Sequence, residues 1–278
     1  MRLKTHLIRL AHSLGLPLKM GETRFRLRGY HADRLASDFS DEPHMVPVIQ
    51  RVLSEREGAF LDVGANCGQT LMKVLSIDST RQYYGFEPQL ECCFFIEQFL
   101  RRNELSTFNI VPIALSDANG MAQLYWDNPS DLTASIIPSQ RQRQLSWVSA
   151  RRGDDLVAEF GIEQIAAIKI DVEGFELEVI SGFSQTMRAQ RPIILFEVLT
   201  NHHWGALIED REIREKKQHR ADAIFALLSE VGYSISRIDD GGVELPLNSF
   251  ELDDPSPFKN DGRDYIARPR RNDCLTNR

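Results

Sequence analysis

The stretch Phe60–Thr70, FLDVGANCGQT, carries the local signals from which the fold can be predicted. An apolar run leads into Asp62, Gly64 and Gly68 follow at short spacing, and a polar residue then begins a helical pattern. A buried strand, a tight turn and a helix form the first unit of an α/β fold. Ligands of open α/β sheets bind at the carboxyl ends of strands, and glycine there leaves space beside the backbone. We therefore predict a ligand-binding turn at this position.

The same alternation of strand and helix continues along the chain. Predicted strands cover residues 59–63, 82–86, 109–114, 166–170, 193–198, 233–238 and 264–268, with helical periodicity between most of them. Residues 121–150 interrupt this order and predict an inserted β-hairpin, because two alternating stretches flank a turn-rich one. We predict an α/β fold with a Rossmann-like, mostly parallel sheet and helices on both faces. Residues 1–45 are predicted to be an N-terminal accessory segment, and residues 46–278 the main domain.

Composition argues against several classes of protein. The net charge of −7 is unfavourable for nucleic acid as a partner, because phosphate contacts need a surplus of Lys and Arg. No apolar run reaches the roughly 20 residues that span a bilayer, and residues 1–19 resemble a short amphipathic helix rather than a signal peptide. The four cysteines lack metal-binding spacing. We expect a cytoplasmic protein without a metal, and the sequence leaves its oligomeric state open.

Acidic residues follow three neighbouring strands of the predicted sheet. Asp62 belongs to the first, Glu87 follows the second, and Asp117 comes just after the third. A carboxylate after the second strand of such a sheet accepts hydrogen bonds from the hydroxyl groups of a ribose. A carboxylate after the third can accept one from an adenine amino group. Together with the glycine turn, these positions predict a nucleoside-binding pocket.

The turn itself discriminates between two nucleoside cofactors. A dinucleotide site needs the pattern G-x-G-x-x-G, which rests the pyrophosphate on a helix N-terminus, and the loop from Gly64 to Gly68 lacks the third glycine. The Asp62 carboxylate would repel a pyrophosphate but attracts the ammonium group of a methionine moiety. S-adenosylmethionine carries that ammonium group and no phosphate, so it is the predicted cofactor. An NAD(P)-dependent or sugar-nucleotide enzyme is the alternative.

Five motifs, in order over residues 59–198, resemble the FkbM-type methyltransferase family of class I S-adenosylmethionine-dependent enzymes. They are FLDVGANCGQT, YGFEP, ALSDANG, IKIDVEGFELEVISG and PIILFEV. The resemblance implies a seven-stranded sheet with an antiparallel last strand, and methyl transfer chiefly to hydroxyl groups of sugars or natural products. It also implies the cofactor-binding residues, which with two immediate neighbours are Asp62, Gly64, Ala65, Asn66, Gly68, Glu87, Pro88, Ser116 and Asp117. Cys67 departs from the family, which usually has a small or aliphatic residue there.

A second acidic cluster follows the fourth predicted strand, in IKIDVEGFE. Methyl transfer to a hydroxyl group depends on positioning and benefits from a base that accepts the hydroxyl proton. The candidate catalytic residues at the ends of the fourth and fifth strands are Asp171, Glu173, Glu197 and His202. Glu176 is expected only to complement the dipole of the following helix. In an alternative interpretation, Asp171, Glu197 and Asn201 bind a divalent ion.

The predicted function is therefore O-methylation of a hydroxyl group on a small molecule, a sugar or a glycan. A non-catalytic protein that retains the fold is a further alternative. Residues 1–45, the hairpin 121–150 and the loop after residue 198 are the parts expected to select the acceptor, and their sequences do not indicate which acceptor it is.

Overall fold

The computed structural model describes residues 18–20, 23–25, 42–126, 134–137, 144–203, 206–253 and 263–270. Its elements in chain order are β1 (Leu18–Met20), β2 (Thr23–Phe25), α1 (Met45–Glu55), β3 (Ala59–Val63), α2 (Gln69–Ile77), β4 (Tyr83–Phe86), α3 (Leu90–Arg102), β5 (Phe108–Val111), β6 (Ala114–Ser116), β7 (Gly120–Trp126), β8 (Gln144–Arg152), α4 (Gly153–Glu159), β9 (Ile165–Ile170), α5 (Glu176–Gly182), α6 (Ser184–Gln190), β10 (Ile193–Glu197), β11 (His202–His203), β12 (Ala206–Leu207), α7 (Arg211–Glu230), β13 (Tyr233–Ile238), β14 (Glu244–Pro246) and β15 (Asp264–Pro269). Within these residues, no helix has the length and apolar character needed to cross a bilayer.

The main sheet has the strand order β14-β13-β15-β10-β9-β3-β4-β5. The strands from β10 to β5 are parallel, and β15 is inserted antiparallel between β10 and β13. The predicted mostly parallel sheet and its antiparallel last strand are thereby confirmed. The edge strand β14 is an eighth strand that the sequence did not predict, because three residues are too few to show a periodic pattern.

The third predicted strand, 109–114, is wrong in its extent. The chain forms β5 up to Val111, leaves the main sheet at Pro112, and resumes as β6 in a second sheet. Proline has no backbone N–H to donate to a strand ladder, which explains why the pairing of β5 ends there. The consequence is that β6 lies beside the insertion rather than within the main sheet.

Helices cover both faces of the main sheet and form two apolar layers. One layer joins α1, α2 and α3 to one face, and the other joins α4, α5, α6 and α7 to the opposite face. The central strands β3 and β9 are buried along their whole length, as expected for parallel strands covered on both sides. Because side chains alternate along a strand, Asp62 points to the same face as Phe60, toward α1, α2 and α3.

The predicted insertion is present as an antiparallel pair of strands. Residues of β7 from Gly120 to Trp126 pair with β8 from Ala150 to Gln144, and β8 also pairs in parallel with β6. We call the three strands β6, β7 and β8 the insertion sheet. Ser135 forms an isolated bridge with Tyr125 on the free edge of β7. Residues 127–133 and 138–143 of the predicted hairpin lie outside the described residues.

The predicted N-terminal accessory segment, 1–45, lies largely outside the described residues. Leu18 and Lys19, predicted as the end of an amphipathic helix, instead belong to β1, which pairs antiparallel with β2. That part of the helix prediction is wrong. The two residues between the strands, Gly21 and Glu22, match the glycine-first sequence of a two-residue hairpin turn, a signal that the helical interpretation overlooked.

Candidate active site

A cleft with about 510 Å³ of solvent-open space lies at the carboxyl ends of β3, β4 and β9. The predicted site residues that line it are Gly64, Asn66, Glu87, Pro88, Asp171 and Glu173. Much of the remaining wall is apolar and includes Ile113, Leu124, Ile136 and Phe175. The cleft therefore combines carboxylates with apolar surface from the insertion sheet and from the turn after β9.

The glycines of the turn are required by the backbone. Gly64 and Gly68 have φ values of +82° and +97°, which L residues with a side chain rarely adopt. A Cβ on Gly64 would collide with the backbone carbonyl oxygen of Asp171. Glycine at position 64 therefore has a structural reason besides the predicted room for a ligand, because it lets the ends of β3 and β9 approach each other.

The first residues of the turn are held against the neighbouring strand β4. The backbone N–H groups of Gly64 and Ala65 donate to the carbonyl oxygen of Phe86, at 2.9 and 3.1 Å. Ala65 is buried, and Gly68 is the N-cap of α2. Neither residue is part of the described cleft lining, so their predicted contribution to cofactor binding is through the shape of the loop.

Glu87 is the carboxylate that borders the cleft after β4. It is 5% exposed, and its Oε2 and Oε1 accept hydrogen bonds from the backbone N–H groups of Asn66 and Gln89, both at 2.8 Å. Burial raises the pKa of Glu87 to about 7, although the two backbone donors act to lower it. The carboxylate is therefore oriented by the ends of the loop and of β4 before any ligand arrives.

Asp62 lies beneath the turn and is 1% exposed. The hydroxyl group of Tyr83 donates to its Oδ2. Among the residues that the structure describes, none donates a hydrogen bond to its Oδ1. Burial raises the pKa of Asp62 to about 6, against the opposing effects of the Tyr83 hydroxyl and of Lys169. A buried oxygen without a donor is costly, so this atom is a ready acceptor for a positively charged donor.

A buried cation lies among the acids at this edge of the sheet. Lys169 on β9 pairs in register with Asp62 on β3, and its Nζ is 3.2 Å from Oδ2 of Asp171. Burial alone would lower the pKa of Lys169, but nearby carboxylates, Asp171 first among them, outweigh it and raise that pKa. Lys169 is therefore a permanent cation. The side chain of Asp171 is 34% exposed and can reach both this cation and the cleft.

Glu197 at the end of β10 is a carboxyl group surrounded mainly by other carboxylates. Burial raises its pKa well above the ordinary value, and the negative charges of Asp171, Glu173 and Asp264 raise it further. Its Oε1 is 3.8 Å from a guanidinium nitrogen of Arg263. The protonated form of Glu197 is therefore favoured relative to that of an exposed glutamate, and the residue is not part of the described cleft lining.

The turn between β9 and α5 has an unusual conformation. Glu173 has a φ of +53°, a region that L residues other than Asn and Asp rarely adopt. Glu176 is buried, and its Oε1 accepts from the backbone N–H groups of Gly174 and Val172, at 3.0 and 3.4 Å. Glu176 therefore does more than complement a helix dipole, which is the only role that the sequence predicted. Its side chain also holds the backbone of the turn that carries Glu173.

Two further predicted site residues, Ser116 and Asp117, are not part of the described cleft lining, and the side chain of a third, His202, is not described. Ser116 is buried and donates to Oδ1 of Asp117 at 3.0 Å, and Asp117 is exposed. Their neighbours Ala114 and Leu115, rather than these two, belong to the cleft lining that the structure describes. The backbone of His202 lies in β11, and its side chain lies outside the described residues.

The alternative of a metal site finds little support in the described part of the chain. Within it, no group of three or more His, Cys, Asp or Glu residues is arranged to hold a metal ion. The side-chain amide nitrogen of Asn201 donates to Oδ1 of Asp253 at 2.6 Å, whereas the amide oxygen, the atom that could bind an ion, has no hydrogen-bond donor among the described residues.

Sequence reasoning missed Tyr83, Gln89 and Ser135 as contributors to this region. Tyr83 and Ser135 act through contacts with residues distant in the chain, which no local pattern reports. Gln89 contributes its backbone N–H, which any residue would supply. One signal could have been used. Side chains alternate along β4, and this alternation places the side chain of Tyr83 on the face of the sheet that also carries Asp62.

We predict that Lys169→Met lowers the free energy of unfolding by about 3 kcal/mol at pH 8, because it leaves buried carboxylates without their cation. The loss should be smaller near pH 5.5, where Asp62 and Glu197 are protonated in the folded protein. Urea unfolding at the two pH values measures both effects, with Lys216→Met on the exposed face of α7 as the matched control. Equal stability of Lys169→Met and the parent at pH 8 would contradict this role.

Comparisons with known proteins agree with the geometry. The model of the methyltransferase FkbM domain matches residues 62–235. The 2-O-methyltransferase NoeI of Sinorhizobium fredii (strain NBRC 101917 / NGR234) is 28% identical over 158 residues, which are 51% of this chain and 64% of NoeI. The match thus spans less than two thirds of that relative.

The solved structures to which this chain is similar are much more distant in sequence. Methyltransferase FkbM from Methylobacillus flagellatus KT is 15% identical, with a TM-score of 0.45 over 76% of this chain and 43% of that one. Fibrillarin from Aeropyrum pernix, solved with bound S-adenosyl-L-methionine, is 12% identical, with a TM-score of 0.40 over 76% of this chain and 66% of that one.

The family match covers more than half of the chain. It confirms the predicted resemblance to the FkbM-type methyltransferase family. The chain belongs to the methyltransferase FkbM domain family.

Proposed function

We propose that this protein is an S-adenosylmethionine-dependent O-methyltransferase whose acceptor is a hydroxyl group on a small molecule, a sugar or a glycan. The observation that carries the proposal is a pair of oriented acids, Glu87 at the cleft and Asp62 buried beneath the glycine turn. Asp62 offers a buried oxygen without a described donor, and Glu87 borders the cleft with a carboxylate held by two backbone N–H groups. The name of the relative NoeI, a 2-O-methyltransferase, supports oxygen as the methyl acceptor.

The residues present suit this cofactor chemically. The Asp62 carboxylate is the group to receive the ammonium group, and Glu87 the group to receive the ribose hydroxyls. Apolar wall residues such as Ile113 and Leu115 suit an adenine ring, with Ser116 and Asp117 proposed at its polar edge. Gly64, Ala65, Asn66, Gly68 and Pro88 are proposed to form the loop backbone around the cofactor. When bound, S-adenosylmethionine supplies a methyl group on a sulfonium, which is electrophilic enough to react with a hydroxyl oxygen.

The acids after β9 and β10 have different proposed tasks. Asp171 borders the cleft and is held by Lys169, so it is the proposed base for the acceptor proton, with Glu173 beside it. Glu197 has a raised pKa, which favours its protonated form, and it is proposed to donate a hydrogen bond to the acceptor. His202 remains a proposed alternative base. Most of the rate enhancement is expected from positioning, because the reaction is a displacement in line with the leaving sulfur.

The cofactor assignment predicts that S-adenosylmethionine and S-adenosylhomocysteine bind with one site per chain and that NAD does not bind. Glu87→Ala should weaken binding by about 10- to 100-fold, the equivalent of roughly 1.5–3 kcal/mol for hydrogen bonds to a charged group. Isothermal titration calorimetry measures both. Glu91→Ala, at an exposed position on α3, is the matched control. Binding of Glu87→Ala at the affinity of the parent would make the ribose assignment wrong.

The raised pKa of Asp62, about 6, predicts that cofactor affinity depends on pH. A bound ammonium group favours the ionised carboxylate and so lowers its pKa, which means that binding below pH 6 must release a proton. Affinity for S-adenosylmethionine should therefore increase from pH 5 to pH 7, and Glu87 should act in the same direction. Asp62→Asn should bind more weakly at pH 7 and show a flatter profile. An affinity that is constant or falls over this range in the parent would contradict the assignment.

The reaction class predicts methyl ethers as products. A panel of mono- and oligosaccharides and other polyols, tested beside amines and carboxylic acids with radiolabelled S-adenosylmethionine, should yield transfer only to hydroxyl groups. Asp171→Asn should reduce kcat by about 10²- to 10⁴-fold, as expected for loss of a base, while cofactor binding is retained. Asp222→Asn on the exposed face of α7 is the control. Transfer to amines alone would overturn O-methylation, and absence of any transfer would favour a non-catalytic protein.

A further inference from the structure

The insertion meets the active site at residues 134–137. Ser135 is 5% exposed, and its backbone N–H and carbonyl groups pair with those of Tyr125, at 3.0 and 2.9 Å. Ala134, Ser135 and Ile136 all line the cleft. This short segment therefore forms a wall of the cleft while it remains attached to the free edge of β7.

The side chain of Ser135 connects this wall to the turn after β9. Its Oγ donates to the backbone carbonyl oxygen of Glu173 at 2.9 Å and accepts from the backbone N–H of Ile137 at 3.1 Å. The donor and an acceptor of the hydroxyl group are both used, so its orientation is defined. A Cβ atom added to Gly174 would lie 3.6 Å from Cδ1 of Ile137. The segment 134–137 therefore also packs against the turn after β9.

The turn that Ser135 contacts has a conformation that its sequence does not favour. Glu173 has a φ of +53°, and non-glycine residues keep such values only when surrounding contacts enforce them. Oε1 of Glu176 accepts a hydrogen bond from the backbone N–H of Gly174 at 3.0 Å. A guanidinium nitrogen of Arg220 on α7 donates to the carbonyl oxygen of Gly174, also at 3.0 Å. These two contacts come from the main domain, and neither holds the carbonyl group of Glu173.

We propose that Ser135 is a positioning residue of the active site, which keeps the Val172–Gly174 turn in the conformation that presents Glu173 to the cleft. Without the Ser135 hydroxyl group, the carbonyl group of Glu173 loses the partner that the insertion contributes, and the backbone can relax toward negative φ. That relaxation turns the Glu173 side chain to a different direction. The insertion thus has two roles, as a wall of the cleft and as a support for the acidic turn. The catalytic consequence rests on the proposed function, because there Glu173 acts on the acceptor.

The test compares three variants of the full chain. Ser135→Ala removes the hydroxyl group, and Ser135→Thr retains it. Ser146→Ala makes the same change elsewhere in the insertion sheet, where Oγ of Ser146 accepts from Nε1 of Trp126 at 2.9 Å. Hydrogen exchange is followed by mass spectrometry in peptides covering residues 172–176. Affinity for S-adenosylhomocysteine is measured by calorimetry on the same samples.

We expect Ser135→Ala to increase exchange in this turn by about tenfold, in line with the loss of one buried hydrogen bond. Ser135→Thr and Ser146→Ala should exchange like the parent, and all three variants should bind S-adenosylhomocysteine within about twofold of it. With a methylated acceptor in hand, Ser135→Ala should lower kcat with little change in the KM for the cofactor, and Ser135→Thr should restore it.

Exchange in Ser135→Ala that equals the parent would overturn the proposal, as would an equal increase in Ser146→Ala, which would indicate general loosening of the insertion. Failure of the unaltered protein to bind S-adenosylhomocysteine would instead contradict the proposed function. The two failures are distinguishable because the exchange measurement needs neither cofactor nor acceptor.

Discussion

The buried ammonium group of Lys169 is the charge on which the carboxyl-terminal edge of the main sheet depends. Parallel strands bring their carboxyl ends to one edge, and here several of those ends carry acids, among them Asp62, Asp171 and Glu197. Carboxylates buried together lose hydration and repel one another. A cation within this edge, 3.2 Å from Asp171, compensates for part of both costs. Asp171 is thereby paired with a cation and remains partly exposed, where it can act on a ligand.

Around this cation, each acid has a different environment and hence a different chemical character. Asp62 is buried and bonded by the Tyr83 hydroxyl group, so it titrates near pH 6. Glu87 is held by two backbone N–H groups and titrates near pH 7. Burial and the nearby carboxylates raise the pKa of Glu197 well above the ordinary value, although Lys169 acts to lower it. Carboxyl groups at one edge of a sheet can therefore differ enough in pKa to have different roles. One can accept a hydrogen bond from a cation, another can act as a base, and a third can donate a hydrogen bond.

The insertion adds to this edge what the sheet cannot supply. The ends of parallel strands form the floor of a cleft, but the side facing solvent stays open unless another segment covers it. Leu124 of β7 and residues 134–136 supply apolar surface there. The same segment bonds the carbonyl group of Glu173, so the cover and the acidic turn form one hydrogen-bonded unit. The cover of the cleft and the acidic turn are thus connected through the backbone of Glu173.

The sequence by itself determined the order of strands and helices, the glycine turn at Gly64 and the family, because these depend on local periodicity and on motifs of neighbouring residues. It also indicated that Glu87 and Asp171 lie near a common cleft, since the carboxyl ends of parallel strands meet at one edge. Only the tertiary structure decided that Gly64 is required by the carbonyl group of Asp171, that Tyr83 bonds Asp62, and that Ser135 supports Glu173. The physical reason is that each of these contacts joins residues far apart in the chain, and their distances follow from strand register and packing rather than from any local pattern.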